Sequence, residues 1–74
     1  MSKVNVYLAD GFEEVEGLTV VDLLRRAGIE TDMVSIMGRK EITGARKIPV
    51  LADKLFEEQD DPDVIVLPGG MQGS

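Results

Sequence analysis

The chain has 74 residues, with 8 Lys and Arg against 14 Asp and Glu, and it contains no Cys, no His and no Trp. This length accommodates one small domain at most, because such a chain buries only about 60% of the surface it exposes when unfolded. The net charge of −6 argues against binding to nucleic acid or to an anionic membrane, since both need clustered cations. Carboxylates, Lys, Arg, hydroxyls and backbone donors remain for chemistry, without a thiol nucleophile, a zinc knuckle or a Ser-His-Asp triad.

The N-terminal residues predict neither a signal peptide nor a membrane anchor. The apolar run at 3–9 is too short for the core of a signal peptide, and Asp10 follows it at once. No apolar run approaches the roughly 18–20 residues that a membrane helix needs. We therefore expect a soluble cytoplasmic protein.

The N-terminal half of the chain predicts a strand, a helix and a second strand. Residues 3–9 are rich in β-branched side chains and end at a turn. Residues 13–27 have apolar positions at helical spacing, acids in the first turn, bases in the last, and Gly28 behind them. Residues 31–37 predict the second strand. Such a unit pairs its two strands in parallel through a right-handed crossover.

The second half begins with a small antiparallel excursion. Residues 40–43 and 48–52 flank a turn, and Pro49 would place the second arm at an edge. Residues 53–60 predict one short helical turn. Residues 63–67 are a nearly unbroken β-branched run, which is typical of a parallel strand buried on both faces.

A strand buried on both faces needs helices above and below it, but only one convincing helix is present. We therefore interpret residues 1–74 as the N-terminal part of a single doubly wound α/β domain, completed by a missing C-terminal segment or by a second chain. Ser74 would be a good N-cap for the next helix. The alternative is a small, self-sufficient α/β domain, whose exposed apolar sheet face would be an aggregation hazard.

Glu16 is the most informative candidate for chemistry. At helical spacing it shares a sector with four apolar residues, Val20, Leu23, Leu24 and Ala27. This places its carboxylate on the face that should pack onto the sheet, where carboxyls used in general acid-base catalysis are found. The alternative is a solvated acid of the first turn. Glu13, at the helix mouth, is better explained as a residue that complements the helix dipole.

The same helix carries a second apolar stripe beside Asp22, formed by Val15, Leu18 and Val21 and continued by Arg25. A helix that covers one sheet does not need two apolar faces. Either a neighbouring helix covers this stripe, or the stripe is a subunit interface.

Two further features could bind an anion. Gly69 and Gly70 follow the carboxyl end of the last strand, where ligands bind in open α/β sheets, and paired glycines let backbone N–H groups approach a ligand. Their spacing matches neither a P-loop nor a dinucleotide fingerprint, and Gly-Gly is also an ordinary turn. Arg46 could supply an anion contact, or it could be a solvated basic side chain.

Three segments together resemble the ThiJ/PfpI superfamily, in the branch that contains the parkinsonism-associated protein deglycase and its bacterial relatives. These segments are ADGFEEVE at 9–16, VDLLRRAGI at 21–29 and VIVLPGG at 64–70. The resemblance covers essentially the whole chain and implies a flavodoxin-like fold. It also implies that Glu16 is the buried, protonated glutamate that hydrogen-bonds a cysteine nucleophile. Gly70 would then contribute to the oxyanion hole, Arg46 would contact bound anions, and the stripe from Val15 to Arg25 would be a homodimer interface.

The family's nucleophilic cysteine and its histidine partner lie beyond the Gly-Gly loop, so this chain lacks both. The resemblance implies an intact protein that acts on small reactive carbonyls in the glyoxalase III or deglycase style, without a cofactor or a metal. The alternatives are a redox-responsive chaperone or stress sensor and an intracellular peptidase-like protein.

Overall fold

The computed structural model describes residues 2–69. Those residues form six strands, one α-helix and one 3-10 turn. In chain order the elements are β1 (Lys3–Leu8), α1 (Glu14–Arg26), β2 (Glu30–Ser35), β3 (Glu41–Thr43), β4 (Pro49–Leu51), β5 (Lys54–Leu55), the 3-10 turn (Phe56–Glu58) and β6 (Val64–Val66). Within this part of the chain, no helix has the length and apolar character to cross a membrane.

The main sheet has the strand order β5-β2-β1-β6, and all of its strand pairs are parallel. The predicted strand-helix-strand unit is confirmed, because β1 and β2 pair in parallel on either side of α1 in the sequence. The predicted excursion is confirmed as well, since β3 and β4 pair antiparallel in a separate two-stranded sheet. The predicted helical turn at 53–60 is present only as the 3-10 turn, with β5 before it.

The order of the strands fixes where a site can form. The chain leaves β1, crosses to β2 on one side, and later returns to β6 on the other side of β1. The direction of winding therefore changes between β1 and β6. In open α/β sheets, ligands bind outside the carboxyl ends of the strands at such a switch point.

The core lies between α1 and one face of the sheet. The buried side chains that form it come from alternate positions of β1, from the loop after β1, from α1 and from β3; they are Val4, Val6, Leu8, Phe12, Val21 and Ile42. The alternation follows from the strand geometry, which points successive side chains to opposite faces. Phe12 and Leu8 are the largest fully buried side chains.

The face of α1 that contacts the core differs from the predicted one. Glu14, Gly17 and Val21 are its buried residues, whereas Leu23 is exposed. Val20 and Leu24 pack against the core as partly buried side chains. The helix is therefore rotated relative to the apolar sector read from the sequence, because the absence of a side chain at Gly17 allows close packing on the Phe12 ring.

The predicted burial of the last strand on both faces is not reached within the described residues, where Val64 and Ile65 in β6 are half exposed. In the sequence interpretation this burial depends on the segments that complete the domain, so it stays a prediction. The one described α-helix packs against β1 and β2. The β-branched sequence predicted the strand and its parallel pairing correctly, but not what covers it.

The sheet face opposite α1 carries a polar cluster instead of a second apolar core. Lys3 and Asn5 are both buried in β1, and the segment after the 3-10 turn lies over them. Lys3 Nζ lies 3.0 Å from an oxygen of Asp32 and 3.3 Å from one of Asp60, and Lys54 Nζ contacts the same two carboxylates. Two ammonium groups thus share two carboxylates across three strands and a loop.

This sharing lowers the pKa of both acids. For Asp32, burial acts to raise the pKa, but hydrogen bonds from Lys3 and Lys54 outweigh it and hold the pKa below its usual range. For Asp60, hydrogen bonds from Lys54 and Lys3 lower the pKa, and burial, which acts to raise it, is the weakest influence.

These lowered pKa values make stability dependent on pH. A carboxyl whose folded-state pKa lies below its unfolded value, about 4, stabilises the fold above that pH. This contribution to stability is lost as the pH falls through the folded-state pKa.

We expect Asp32→Asn to lower the free energy of unfolding at pH 7. The variant should also show a shallower decline of that free energy below about pH 4, measured by urea denaturation across pH. Glu57→Gln, which changes an exposed acid, should keep the steep decline. Equal slopes in the two variants would contradict a role of the cluster.

Gly17 provides a test of the packing between α1 and the core. A Cβ at this position would lie 2.9 Å from the Phe12 ring and 3.3 Å from Pro68. Gly17→Ala gains about 1 kcal/mol of helix propensity, but overpacking costs about 1–3 kcal/mol. We expect a net loss of about 1 kcal/mol in urea denaturation. Thr19→Ala, at an exposed position of the same helix, should instead stabilise by about 0.5 kcal/mol. A gain in both variants would show that the contact with Phe12 is loose.

Candidate functional site

Three segments converge at the carboxyl ends of β1 and β6. They are the loop between β1 and α1, the β3–β4 hairpin, and the residues after β6. The parallel pairing of β1 with β6 brings the ends of both strands to the same edge of the sheet. This is the switch point of the fold, so the start of α1 and the residues after β6 face one crevice, at the place where ligands bind in open α/β sheets.

Backbone hydrogen bonds join the first loop to the hairpin. The amide of Gly11 donates to the carbonyl of Thr43 at 2.9 Å, and the amide of Ala45 donates to the carbonyl of Phe12 at 2.8 Å. Gly11 has a φ of 89°, a conformation that glycine adopts without steric cost. The hairpin is therefore held over the start of α1, although it belongs to a different sheet.

Asp10 strengthens the same junction. Its carboxylate accepts the amide of Thr43 at 3.1 Å and forms an ion pair with Arg39. The hydrogen bond from the Thr43 amide is the largest influence on this carboxyl; together with Arg39 it outweighs partial burial and lowers the pKa of Asp10. The charged carboxylate of Asp10 thus holds the hairpin against the end of β1.

The residues after β6 bind to the first turn of α1. The amide of Glu13 donates to the carbonyl of Gly69 at 2.9 Å, and the amide of Gly69 donates to Oε1 of Glu16 at 2.9 Å. A Cβ at position 69 would lie 2.5 Å from that oxygen. A side chain at position 69 would therefore displace the Glu16 carboxylate from this contact.

The structure brings Glu16 and Gly69 together, but it does not bury Glu16. The side chain of Glu16 is exposed, so its predicted position on the face packed against the sheet is wrong for the described residues. The rotation of α1 explains this, since Gly17 and Val21 occupy the inward face. The acid-base role of Glu16 stays a prediction. Gly70, predicted to stabilise an oxyanion, lies outside the described residues.

The buried carboxylate of α1 belongs to Glu14, which is 3% exposed. Its Oε2 accepts the backbone amides of Arg46 at 2.8 Å and Ile48 at 3.2 Å. Burial acts to raise the pKa of Glu14, but the hydrogen bonds from its own amide, from Arg46 and from Ile48, helped by the Arg46 charge, hold the pKa below the usual range. Glu14 is therefore a charged group that ties the helix to the hairpin.

Arg46 lies at the tip of the hairpin with an exposed side chain. Its Nη2 is 4.0 Å from Oε1 of Glu13, and Glu13 is the extended residue that precedes the first turn of α1. The guanidinium thus reaches the mouth of the crevice, where a carboxylate already faces it. Anion binding by Arg46 stays a prediction.

The predicted interface stripe is not a continuous exposed surface. Val15 is 81% exposed and Arg25 is exposed, but Val21 is 5% exposed and belongs to the core of the monomer. Leu18 is partly buried against that core. Arg25 also donates to Asp53 at 2.8 Å. Homodimerisation through the remaining exposed residues stays a prediction.

Glu14 and Asp10 are the two site residues that sequence reasoning missed as positioning groups. Glu14 lies three and seven residues before Gly17 and Val21, which is the spacing of one helix face, so the periodicity contained the signal. The sequence reading followed the bulkier apolar sector instead. Nothing in the sequence indicated the partner of either carboxylate, because both bind a hairpin more than 25 residues away.

The groups at this edge of the sheet are suited to proton transfer and to binding a small polar molecule. An exposed carboxylate of the first helical turn lies beside a glycine loop whose backbone can approach a ligand closely. A cation lies nearby on the hairpin. Within residues 2–69 there is no group of three or more Asp and Glu side chains placed to hold a metal ion. The arrangement fits proton transfer and the binding of a small polar molecule.

The sequence profile of the DJ-1/PfpI family matches residues 2–74. The chain belongs to the DJ-1/PfpI family. It is 39% identical over 71 residues to Protein dj-1beta of Drosophila melanogaster, covering 93% of this chain and 38% of that protein. It is 37% identical over 70 residues to Deglycase TK1284 of Thermococcus kodakarensis, covering 92% of this chain and 42% of that one.

The solved structures agree with the sequence comparison. A cysteine-to-alanine mutant of a DJ-1 superfamily protein from Salmonella typhimurium superposes with a TM-score of 0.91 at 40% identity, over 99% of this chain and 40% of that one. The flavodoxin-like α/β fold is thereby confirmed. The chain spans about two fifths of the length of these relatives, or less.

The contact between Gly69 and Glu16 can be tested by hydrogen exchange. In Gly69→Ala the new methyl group displaces the carboxylate, so we expect the amide of residue 69 to exchange about tenfold faster, with a loss of about 1 kcal/mol in stability. Glu16→Ala should accelerate the same amide by a similar factor. Glu57→Ala is the matched control and should leave it unchanged. Unaltered exchange in both site variants would show that the contact is not formed in solution.

Proposed function

We propose that this chain supplies one side of the active site of a cysteine-dependent enzyme that acts on small reactive carbonyls, of the glyoxalase III or deglycase type. One observation carries the proposal. The Glu16 carboxylate and the Gly69 backbone meet at 2.9 Å at the switch point of the sheet. An acid-base group and a loop suited to an oxyanion are thus already paired.

The comparisons support this reading of the site. One relative is named a deglycase, and one structural neighbour was studied with a cysteine replaced by alanine. This chain contains no cysteine. We therefore propose that the remaining part of the domain supplies the thiol and covers both the exposed side of Glu16 and the half-exposed β6.

The proposed reaction begins with transfer of the thiol proton to the Glu16 carboxylate. The thiolate then attacks the aldehyde carbon, a carbon–sulfur bond forms, and the carbonyl electron pair moves to oxygen. The backbone N–H of Gly70 stabilises that oxyanion, and Glu16 returns its proton to give a neutral hemithioacetal. Gly69 holds Glu16 in place for both transfers through the hydrogen bond of its amide.

The experiment uses this chain together with the rest of its domain and follows the consumption of methylglyoxal. We expect turnover in the unmodified protein and a loss of at least about 100-fold in kcat/KM in Glu16→Ala, because general acid-base groups contribute about 100- to 10,000-fold. Replacement of the cysteine by alanine should abolish turnover. Glu57→Ala, at an exposed acid away from the crevice, should retain it.

Two outcomes would contradict the proposal. Full activity in Glu16→Ala would remove the carboxylate from the mechanism. Absence of turnover in the unmodified protein, combined with holdase activity that depends on oxidation of the cysteine, would favour a redox-responsive chaperone instead.

A further inference from the structure

The proposed chemistry uses Glu16 but leaves the buried carboxylate of Glu14 without a role. Glu14 is 3% exposed, and its charged form is favoured although burial opposes it. Its Oε1 has no hydrogen-bond partner among the described residues. A buried charge is costly unless it is well bonded, so the contacts of the other oxygen must compensate.

Those contacts go to one turn of the hairpin. Oε2 of Glu14 accepts the amides of Arg46 and Ile48, which flank Lys47. Lys47 has a φ of 67°, in the left-handed region that side chains other than glycine rarely adopt. Alternate amides around such a residue form a concave nest that binds anions. The Glu14 carboxylate fills this nest and stabilises the left-handed turn.

Gly44 provides the space for this carboxylate. A Cβ at position 44 would lie 2.2 Å from both Cδ and Oε2 of Glu14. The amide of Gly44 donates to the carbonyl of Ile48 at 3.0 Å, which closes the turn around the carboxylate. In this conformation the turn accommodates the buried acid without a clash at position 44.

This conformation determines where Arg46 lies. The residue whose amide Glu14 binds at 2.8 Å is the same residue whose guanidinium reaches to 4.0 Å from Glu13 at the mouth of the crevice. The backbone of Arg46 is fixed by a buried charge, while its side chain is exposed. The turn therefore presents the Arg46 guanidinium from an anchored backbone.

We propose that Glu14 is a positioning residue that holds the turn at 44–48 so that Arg46 is presented to a small anion at the crevice. Glu14 acts through Arg46 and does not touch the ligand. The inference rests on the proposed function for the location of the ligand, and it adds the group that fixes the cation there.

The test measures binding of inorganic sulfate to the complete domain by NMR titration, and the kinetics of methylglyoxal turnover. Arg46→Ala removes the cation, and Glu14→Gln removes the anchoring charge with almost no change in shape. We expect each variant to raise the Kd for sulfate about tenfold, which corresponds to about 1.4 kcal/mol. The double variant should bind no more weakly than Arg46→Ala alone, because both changes remove the same contact.

Methylglyoxal provides the readout that separates positioning from general damage. This substrate is neutral, so we expect its kcat/KM to fall by clearly less in Glu14→Gln than the about tenfold rise in the Kd for sulfate. If Glu14→Gln does not fold, Glu14→Asp keeps the charge but withdraws it by one methylene group, and the same measurements apply. Glu57→Gln is the matched control for loss of one negative charge and should leave the Kd for sulfate unchanged.

The outcomes are distinct. An unchanged Kd in the folded Glu14 variant, additive effects in the double variant, or no binding of sulfate to the unmodified protein would each overturn the inference. A parallel loss of methylglyoxal turnover and sulfate binding would overturn it as well, since it would indicate a merely structural role. If the unmodified protein binds sulfate with the expected pattern but does not turn over methylglyoxal, the proposed function fails and the positioning role stands.

Discussion

The parallel pairing of β1 on both of its edges is the constraint on which the rest of the structure depends. β2 lies on one side and β6 on the other, so the loops that follow β1 and β6 leave the sheet at the same edge. The chain connects these neighbours through long intervening segments, because parallel strands cannot be joined by a tight turn. The bonds between Gly69 and the start of α1 follow from this adjacency.

A second set of contacts fixes the position of the β3–β4 hairpin beside these loops. The β3–β4 hairpin belongs to its own small sheet, yet backbone bonds and the carboxylates of Asp10 and Glu14 hold it to the start of α1. Both acids bind backbone amides, and in both the pKa is lowered. Charge-assisted bonds of this kind are stronger than bonds between neutral groups. The hairpin is therefore a fixed wall of the crevice.

Much of this architecture could be predicted from the sequence, for clear physical reasons. The β-branched residues at 3–9, the helical period ending before Gly28, and the β-branched run at 63–67 are local signals, and each produced the expected element. Contacts between distant segments leave no such signal. The burial of Glu14 depends on a hairpin about 30 residues away, and the half-exposed state of Val64 depends on what lies beside an edge strand.

The three acids at the start of α1 show why residue type alone could not assign the site. Glu13 precedes the helix and faces Arg46, Glu14 points inward to the amides of the hairpin, and Glu16 points outward to the amide of Gly69. Side chains on consecutive helical positions are separated by about 100°, so adjacent acids necessarily enter different surroundings. From the sequence, Glu16 was predicted to be both the buried acid and the acid that takes part in chemistry. In the structure, the buried acid is Glu14, which is bonded to a fixed turn. Glu16 is accessible and is bonded to a loop. An accessible carboxylate can exchange a proton with a substrate, and a buried one can hold the wall against which that substrate would bind.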